Sequence, residues 1–166
     1  MKTLRVWLLT VGEPLPCDAG TVRLLRVGIL ARQLVHRGAE VTWWTGAFAH
    51  HAKRMRTEVM PAVDLPEGYR LELLAGRPYR SNVSLARIRN HREQAADFER
   101  RAGSVALPDV ILVSYPTIEL AEAAVRYGRR CGVPVVLDVR DLWPDIFVNL
   151  APERLHIRAI GLHAGF

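Results

Sequence analysis

The chain is poor in cysteine, lysine and aromatic residues. Cys17 and Cys131 are the only cysteines in 166 residues, and they stand far apart. That spacing excludes a disulfide framework and a Cys-x-x-Cys metal pair, and it fits a reducing compartment. No apolar run approaches the roughly 18 residues that a membrane helix needs. The start, Met1 to Val11, has a very short apolar core and no small-residue cleavage site after it, so it reads as a strand and not as a signal peptide. No Gly-x-Gly-x-x-Gly fingerprint is present, which disfavours a nicotinamide enzyme. No Gly-x-Ser-x-Gly elbow is present, which disfavours a nucleophilic serine. Adjacent His50 and His51 have no third ligand at zinc spacing, so no metal site is expected. With 7% aromatics and no basic platform interleaved with them, nucleic acid is not an expected partner.

What is present describes one globular domain: 49% apolar residues, 24% charged, 12 Gly and 10 Pro. Such a composition excludes a disordered or low-complexity chain. The formal net charge is +6, and of 23 basic residues only Lys2 and Lys53 are lysines. Residues 1–83 carry +5 and residues 84–166 carry +1. Coding bias explains the arginines; an anionic partner explains them as well.

Apolar periodicity orders the elements. Leu4 to Thr10 reads as a strand buried on both faces, and Thr21 to Arg37 as a helix capped by Thr21 or Asp18 and stopped by Gly38. Glu40 to Thr45 reads as the next strand, completing a βαβ unit. Tyr69 to Leu73 alternates as a strand, with Tyr69, Leu71 and Leu73 on one face. Ser84 to Ala102 reads as a helix with Leu85, Ile88, Ala95 and Phe98 as its apolar stripe. Asp109 to Ser114 reads as a buried strand, Ile118 to Cys131 as a helix closed by Gly132, and Pro134 to Val139 as another buried strand. Glu153 to Phe166 has a helical pattern. Strands alternating with helices predict an α/β, Rossmann-like, doubly wound parallel sheet with helices on both faces.

In such a sheet, ligands bind outside the carboxyl ends of the strands. Four loops are therefore of interest. The first, Val11 to Gly20, carries Gly12, Glu13 and Asp18, and is expected to deliver Gly20, Thr21 and Arg23 to a helix N-terminus. The second, Gly46 to Arg56, carries His50, His51, Lys53, Arg54 and Arg56, a basic loop able to touch a phosphate or lipid headgroup. The third, Ser114-Tyr115-Pro116-Thr117, offers hydroxyl donors, with Glu119 at the start of the following helix. The fourth, Arg140 to Asn149, carries Arg140, Asp141 and Asp145 directly after an apolar strand. Arg140 and Asp141 fit a structural ion pair; Asp141 and Asp145 also suit hydrogen bonds to sugar hydroxyls, with Arg140 reaching an anion.

Arg140-Asp141-Leu142-Trp143-Pro144-Asp145 after Pro134-Val135-Val136-Leu137 resembles the Arg-Asp-Leu-Trp-Pro segment of glycosyltransferase family 4, in its bacterial capsule, exopolysaccharide and O-antigen branch. Gly12-Glu13-Pro14-Leu15-Pro16, Arg23 to Ala31, Arg37 to Thr45, Phe48 to Arg54 and Pro108 to Ser114 agree with it in order. The first loop departs from the paired glycines of many relatives. The resemblance implies a GT-B architecture, of which residues 1–166 form the amino-terminal acceptor-side domain. The carboxy-terminal nucleotide-sugar domain is then absent from this chain, and the isolated chain is expected to be inactive. It implies a retaining transfer from a nucleotide-sugar co-substrate, without metal or other cofactor, to a glycan or polyprenyl-diphosphate-linked acceptor. It places the protein in the cytoplasm, peripheral on the inner face of the cytoplasmic membrane. By motif, Gly12, Glu13, Gly20, Arg23, Ser114, Tyr115, Arg140, Asp141 and Asp145 line the substrate side. Asp18, His50 and Asp141 remain the candidates for a general base.

Seven arginines between Arg77 and Arg101, interleaved with Leu85, Ile88 and Phe98, fit a helix on an anionic bilayer or a helix with its arginines in water. Two other readings stand beside the transferase: a non-catalytic docking domain that recruits a partner subunit to the membrane, and half of a sugar-nucleotide epimerase.

Overall fold

A computed structural model of the chain describes residues 2–56, 62–81 and 84–140. The expected helix over Glu153 to Phe166 lies outside the described residues. In chain order the elements are β1 (Arg5–Leu9), α1 (Arg26–His36), β2 (Glu40–Gly46), β3 (Phe48–Ala49), β4 (Arg54–Met55), β5 (Ala62–Asp64), β6 (Arg70–Leu74), α2 (Leu85–Arg101), β7 (Val110–Tyr115), α3 (Ile118–Cys131) and β8 (Val135–Val139). A 3-10 turn, Ala102–Ser104, follows α2.

Six strands form one sheet in the order β5-β6-β2-β1-β7-β8. All its pairings are parallel except β5 on β6. This is the α/β, Rossmann-like architecture that the alternation predicts. β1 lies central, pairing Trp7 with Thr42 on one side and Ile111 on the other.

The period-2 rule separates two cores. Val6, Leu8, Trp43, Leu71 and Leu73 pack under α1 with Val27 and Ala31. Trp7, Leu9, Trp44, Leu74, Ile111 and Val113 pack under α2 and α3 with Phe98, Leu120 and Tyr127. Trp7 meets Trp44 at 5.3 Å between ring centroids and Tyr127 at the same distance. Gly128 lets α3 lie against β8, because a Cβ there would sit 2.6 Å from the carbonyl oxygen of Val133. Gly132 closes α3 in the left-handed conformation at φ 69°.

Three expectations change. The helix expected from Thr21 starts only at Arg26, and its N-cap Leu25 makes no side-chain cap. Neither Thr21 nor Asp18 caps it, because its capping carboxylate comes from Glu13, far upstream. The stripe expected on α2 is half wrong: Leu85 is 84% exposed and Ile88 is exposed as well. Asn90, Gln94 and Asp97 are buried in their place. The carboxyl half of α2 packs on the core through Ala95 and Phe98. Its amino half crosses the polar carboxyl ends of the strands; Gly46 and Gly76 make room there for Gln94 and Asn90. Third, β8 is not buried on both faces. Among the described residues it has one strand neighbour, β7, and Val136, Leu137 and Val139 are exposed.

Candidate functional site

The first loop leaves β1 through Gly12, which adopts φ 91°. A left-handed position favours glycine. Glu13 then turns inward and is only 4% exposed. Its carboxylate accepts the N–H of Val27 at 3.0 Å and that of Gly28 at 3.4 Å, and it receives Arg140 Nη1 at 2.6 Å. The start of α1, where this fold usually seats a ligand phosphate, is therefore filled by the chain's own anion.

Arg140 also donates through Nε to Asp138 at 3.1 Å, and Asp138 takes Arg26 at 2.7 Å. Burial alone would lower the Arg140 pKa; the hydrogen bonds to Glu13 and Asp138 outweigh it and raise the value. Among the described residues, the ion-pair partners of Arg140 are thus Glu13 and Asp138. Asp141 and Asp145 lie outside the described residues.

Asp18 is clasped as well. Arg56, almost wholly buried, reaches it through Nε at 2.6 Å and Nη2 at 2.9 Å, and donates to the carbonyls of Gly46 at 2.7 Å and Glu13 at 3.3 Å. The Leu15 N–H adds a hydrogen bond at 2.9 Å. Burial opposes ionisation of Asp18, but the Arg56 and Leu15 hydrogen bonds hold its carboxyl below the ordinary range. A carboxylate bound bidentately and held ionised is a weak base. Gly20 and Arg23 are exposed and lie before α1 instead of at its amino end, contrary to the expected placement.

On the other side of β1 the rim is open. A cavity of about 160 Å³ is lined by Val11, Gly12, His50, Tyr79, Arg87, His91 and Thr117. The β3–β4 hairpin supplies His50, whose Nδ1 lies 2.6 Å from the Tyr79 hydroxyl. Tyr79 is fixed between Phe48, 4.7 Å away between centroids, and Lys53, whose Nζ lies 4.7 Å from the Tyr79 centroid. From α2 come Arg87 and, one turn on, His91, whose Nδ1 is 3.8 Å from a Glu119 carboxylate oxygen. Thr117 stands at the start of α3; it is 9% exposed and its side chain makes no cap hydrogen bond.

Burial, then Lys53, Arg87 and His51, pushes His50 down to about 4. Burial, then Arg87 and His50, pushes His91 down to about 4. Both imidazoles are neutral near pH 7, so each offers one donor and one acceptor nitrogen. Burial also raises the Tyr79 phenol.

Gly12 and His50, both singled out from sequence, meet at this cavity; a Cβ on Gly12 would lie 3.7 Å from that of His50. Ser114 is buried at the end of β7, and its hydroxyl has no hydrogen-bond partner among the described residues. The Tyr115 carbonyl accepts the Arg140 N–H at 3.4 Å. Sequence reasoning placed Thr117 in the third loop as a hydroxyl donor but did not single out Tyr79, Arg87 or His91 for this site. The available signal was the row Arg87, Asn90, His91, Gln94 at i, i+3, i+4, i+7, a polar stripe on the face that a helix turns inward. No cluster of three His, Cys, Asp or Glu side chains able to hold a metal occurs among the described residues.

No protein-family model matches the chain. No curated protein matches it. Among solved structures, the chain is similar to the C-terminal domain of a hydrogenase from Pyrococcus furiosus, at 14% identity and a TM-score of 0.48, over 83% of this chain and 93% of that one. It is similar to a UGT transferase from Siraitia grosvenorii solved with UDP, at 14% identity and a TM-score of 0.42, over 80% of this chain and 27% of that one.

Proposed function

We propose that this domain forms the acceptor side of a glycosyltransferase that moves a sugar from a nucleotide-sugar to a glycan or polyprenyl-diphosphate-linked acceptor in cell-surface polysaccharide synthesis. The observation that carries it is a cavity beside the Gly12-Glu13-Pro14-Leu15-Pro16 loop, at the carboxyl rim of the central strands β1 and β7. The Arg140 to Asp145 segment supports the same reading by its likeness to family 4. In this reading His50, neutral and oriented by Tyr79, holds an acceptor hydroxyl, and Gly12 lets the acceptor approach the backbone. Gly20 and Arg23, both exposed, belong to the substrate side in this reading, and Ser114, Tyr115, Asp141 and Asp145 join them by their sequence positions in the third and fourth loops. Glu13 and Arg140 act differently, fixing the loop from inside. The nucleotide-sugar is held by a second Rossmann-like half.

A titration of the chain with a short prenyl-diphosphate-linked monosaccharide, and separately with a panel of nucleotide-sugars, tests this. The acceptor is expected to bind and to shift the His50 and Tyr79 resonances, with no saturable binding of nucleotide-sugar alone. Tight nucleotide-sugar binding without acceptor binding overturns it.

One observation favours a membrane contact in addition. The outer side of α2 presents Leu85 and Ile88 beside Arg89 and Arg92. No described helix is long and apolar enough to cross a membrane. Co-sedimentation with anionic vesicles is expected to fall in the triple variant Leu85→Ser, Arg89→Glu, Arg92→Glu; unchanged sedimentation counts against the contact.

A further inference from the structure

We infer that the cavity between the first loop, the β3–β4 hairpin and the amino-terminal turns of α2 and α3 is a phosphoryl-binding site, with Arg87 as its charged contact and Thr117 as its hydroxyl donor. The site is argued from the cavity; the sugar-transfer reading above supplies only the carrier of the phosphoryl group, and the two fail separately.

Size comes first. At about 160 Å³ the cavity is well below the roughly 300–1,000 Å³ of pockets that enclose a drug-sized ligand. It suits a small head group and leaves the remainder of a larger molecule outside.

Charge comes second. Arg87 lies in the first turn of α2, which contains no acidic residue, and a cation there opposes the helix dipole. An anion in the cavity relieves that opposition. The groups that face the cavity histidines are Lys53 and His51 from the hairpin, Tyr79 from the segment before α2, Arg87 from α2 and Glu119 from α3. Among the described residues, two of these are fixed cations and Glu119 is a carboxylate. Arg87 and Lys53 thus bring positive charge to the cavity while both imidazoles are neutral.

Donors come third. α3 is 14 residues long, so its amino-terminal turn carries the full partial charge of a helix end. Thr117 at that end is nine-tenths buried and lines the cavity, and its hydroxyl has no hydrogen-bond partner among the described residues. A ligand oxygen at the mouth of α3 can accept from this hydroxyl and from the first amides of the helix. The contrast with α1 is direct: there the same position already holds the Glu13 carboxylate.

Anion binding therefore couples to proton uptake. An anion beside His50 and His91 favours their charged forms, so affinity should rise as pH falls from 7 to 5. Sulfate is the probe that isolates this, because it has no titrating proton in that range.

Calorimetric titration of the full chain with sulfate at low ionic strength tests the site. The wild-type chain is expected to bind saturably, and Arg87→Gln to weaken binding about tenfold or more, the scale of a lost charged hydrogen bond. Thr117→Val, which keeps the shape, is expected to weaken it about two- to tenfold. His91→Gln is expected to flatten the rise of affinity toward pH 5. Absence of saturable binding overturns the site. So does equal affinity of wild type, Arg87→Gln and Thr117→Val. Competition against sulfate then identifies the carrier. A short prenyl diphosphate outcompeting UDP supports the acceptor; UDP outcompeting the prenyl diphosphate keeps the phosphoryl site and overturns the acceptor-side reading.

Discussion

Two helix starts flank the middle of the sheet, and they are finished in opposite ways. The start of α1 is closed: the Glu13 carboxylate takes two of its amides and is held there by Arg140. The start of α3 is open: Thr117 caps nothing and borders a cavity with Arg87, His50 and His91. Both ends carry the same backbone partial charge. The difference teaches that the fold creates the demand for an anion at each strand-to-helix turn, and that sequence decides whether the chain or a ligand meets it.

The sharpest way to break this contrast is Glu13→Ala. It removes the cap of α1 and strips Arg140 of its closest partner. A loss of about 3 kcal/mol or more is expected, the scale of a broken buried ion pair, and urea unfolding would measure it. A loss no larger than that of a surface substitution would mean that α1 does not depend on its internal anion.

A smaller loss is expected from Arg56→Lys. The charge stays, but the two-pronged contact with Asp18 and the bonds to the Gly46 and Glu13 carbonyls cannot all be kept. About 1.5–3 kcal/mol is expected by the same measurement. Stability equal to wild type would show that charge alone anchors the first loop.

Acid separates the two sides next. His50 and His91 sit near 4 in the folded chain against 6.5 ordinarily, so between those values the unfolded chain binds more protons. Stability contributed by the open side is complete above about pH 6.5 and lost as pH falls toward 4. Asp18 is lowered from 3.8, so its contribution is present above that value and lost only below it. Unfolding free energy measured from pH 7 to 3 should fall first through the histidine window. His91→Gln should shrink that first fall and leave the second; an unaltered first fall would remove His91 from the account.

The smallest effect is expected from Thr117→Val, which should change the stability of the ligand-free chain by less than about 0.5 kcal/mol. A large loss would give Thr117 a scaffold task and spoil the contrast with Glu13.

Much of the scaffold could be read from the sequence because its signals are local. Leu4 to Thr10, Glu40 to Thr45 and Asp109 to Ser114 are short apolar runs with turn residues after them, and each matches a strand to within a residue at either end. Ser84 caps α2, accepting the Arg87 N–H at 3.2 Å, and Gly132 ends α3. What could not be read depends on distant partners. The start of α1 is set by a carboxylate 14 residues before Val27, outside any capping pattern. Asp138-Val139 looks as buried as Val113-Ser114 until the number of neighbouring strands is known. The arginines of α2 fit a solvated face; the polar row Arg87, Asn90, His91 and Gln94 is local, but that it lies over the strand ends depends on distant partners. His50 and Gly12 were legible because loop position in a parallel sheet is itself a sequence property.

Trp43 and Trp44 are neighbours in β2 but belong to different cores, one beneath α1 and the other beneath α2 and α3. The sheet thus carries an indole on each side of its backbone. With Trp7 and Trp143 replaced by phenylalanine, removing either Trp43 or Trp44 leaves a fluorescent reporter of one layer alone. Loosening of the closed side and filling of the open side then become two separable optical signals from one strand.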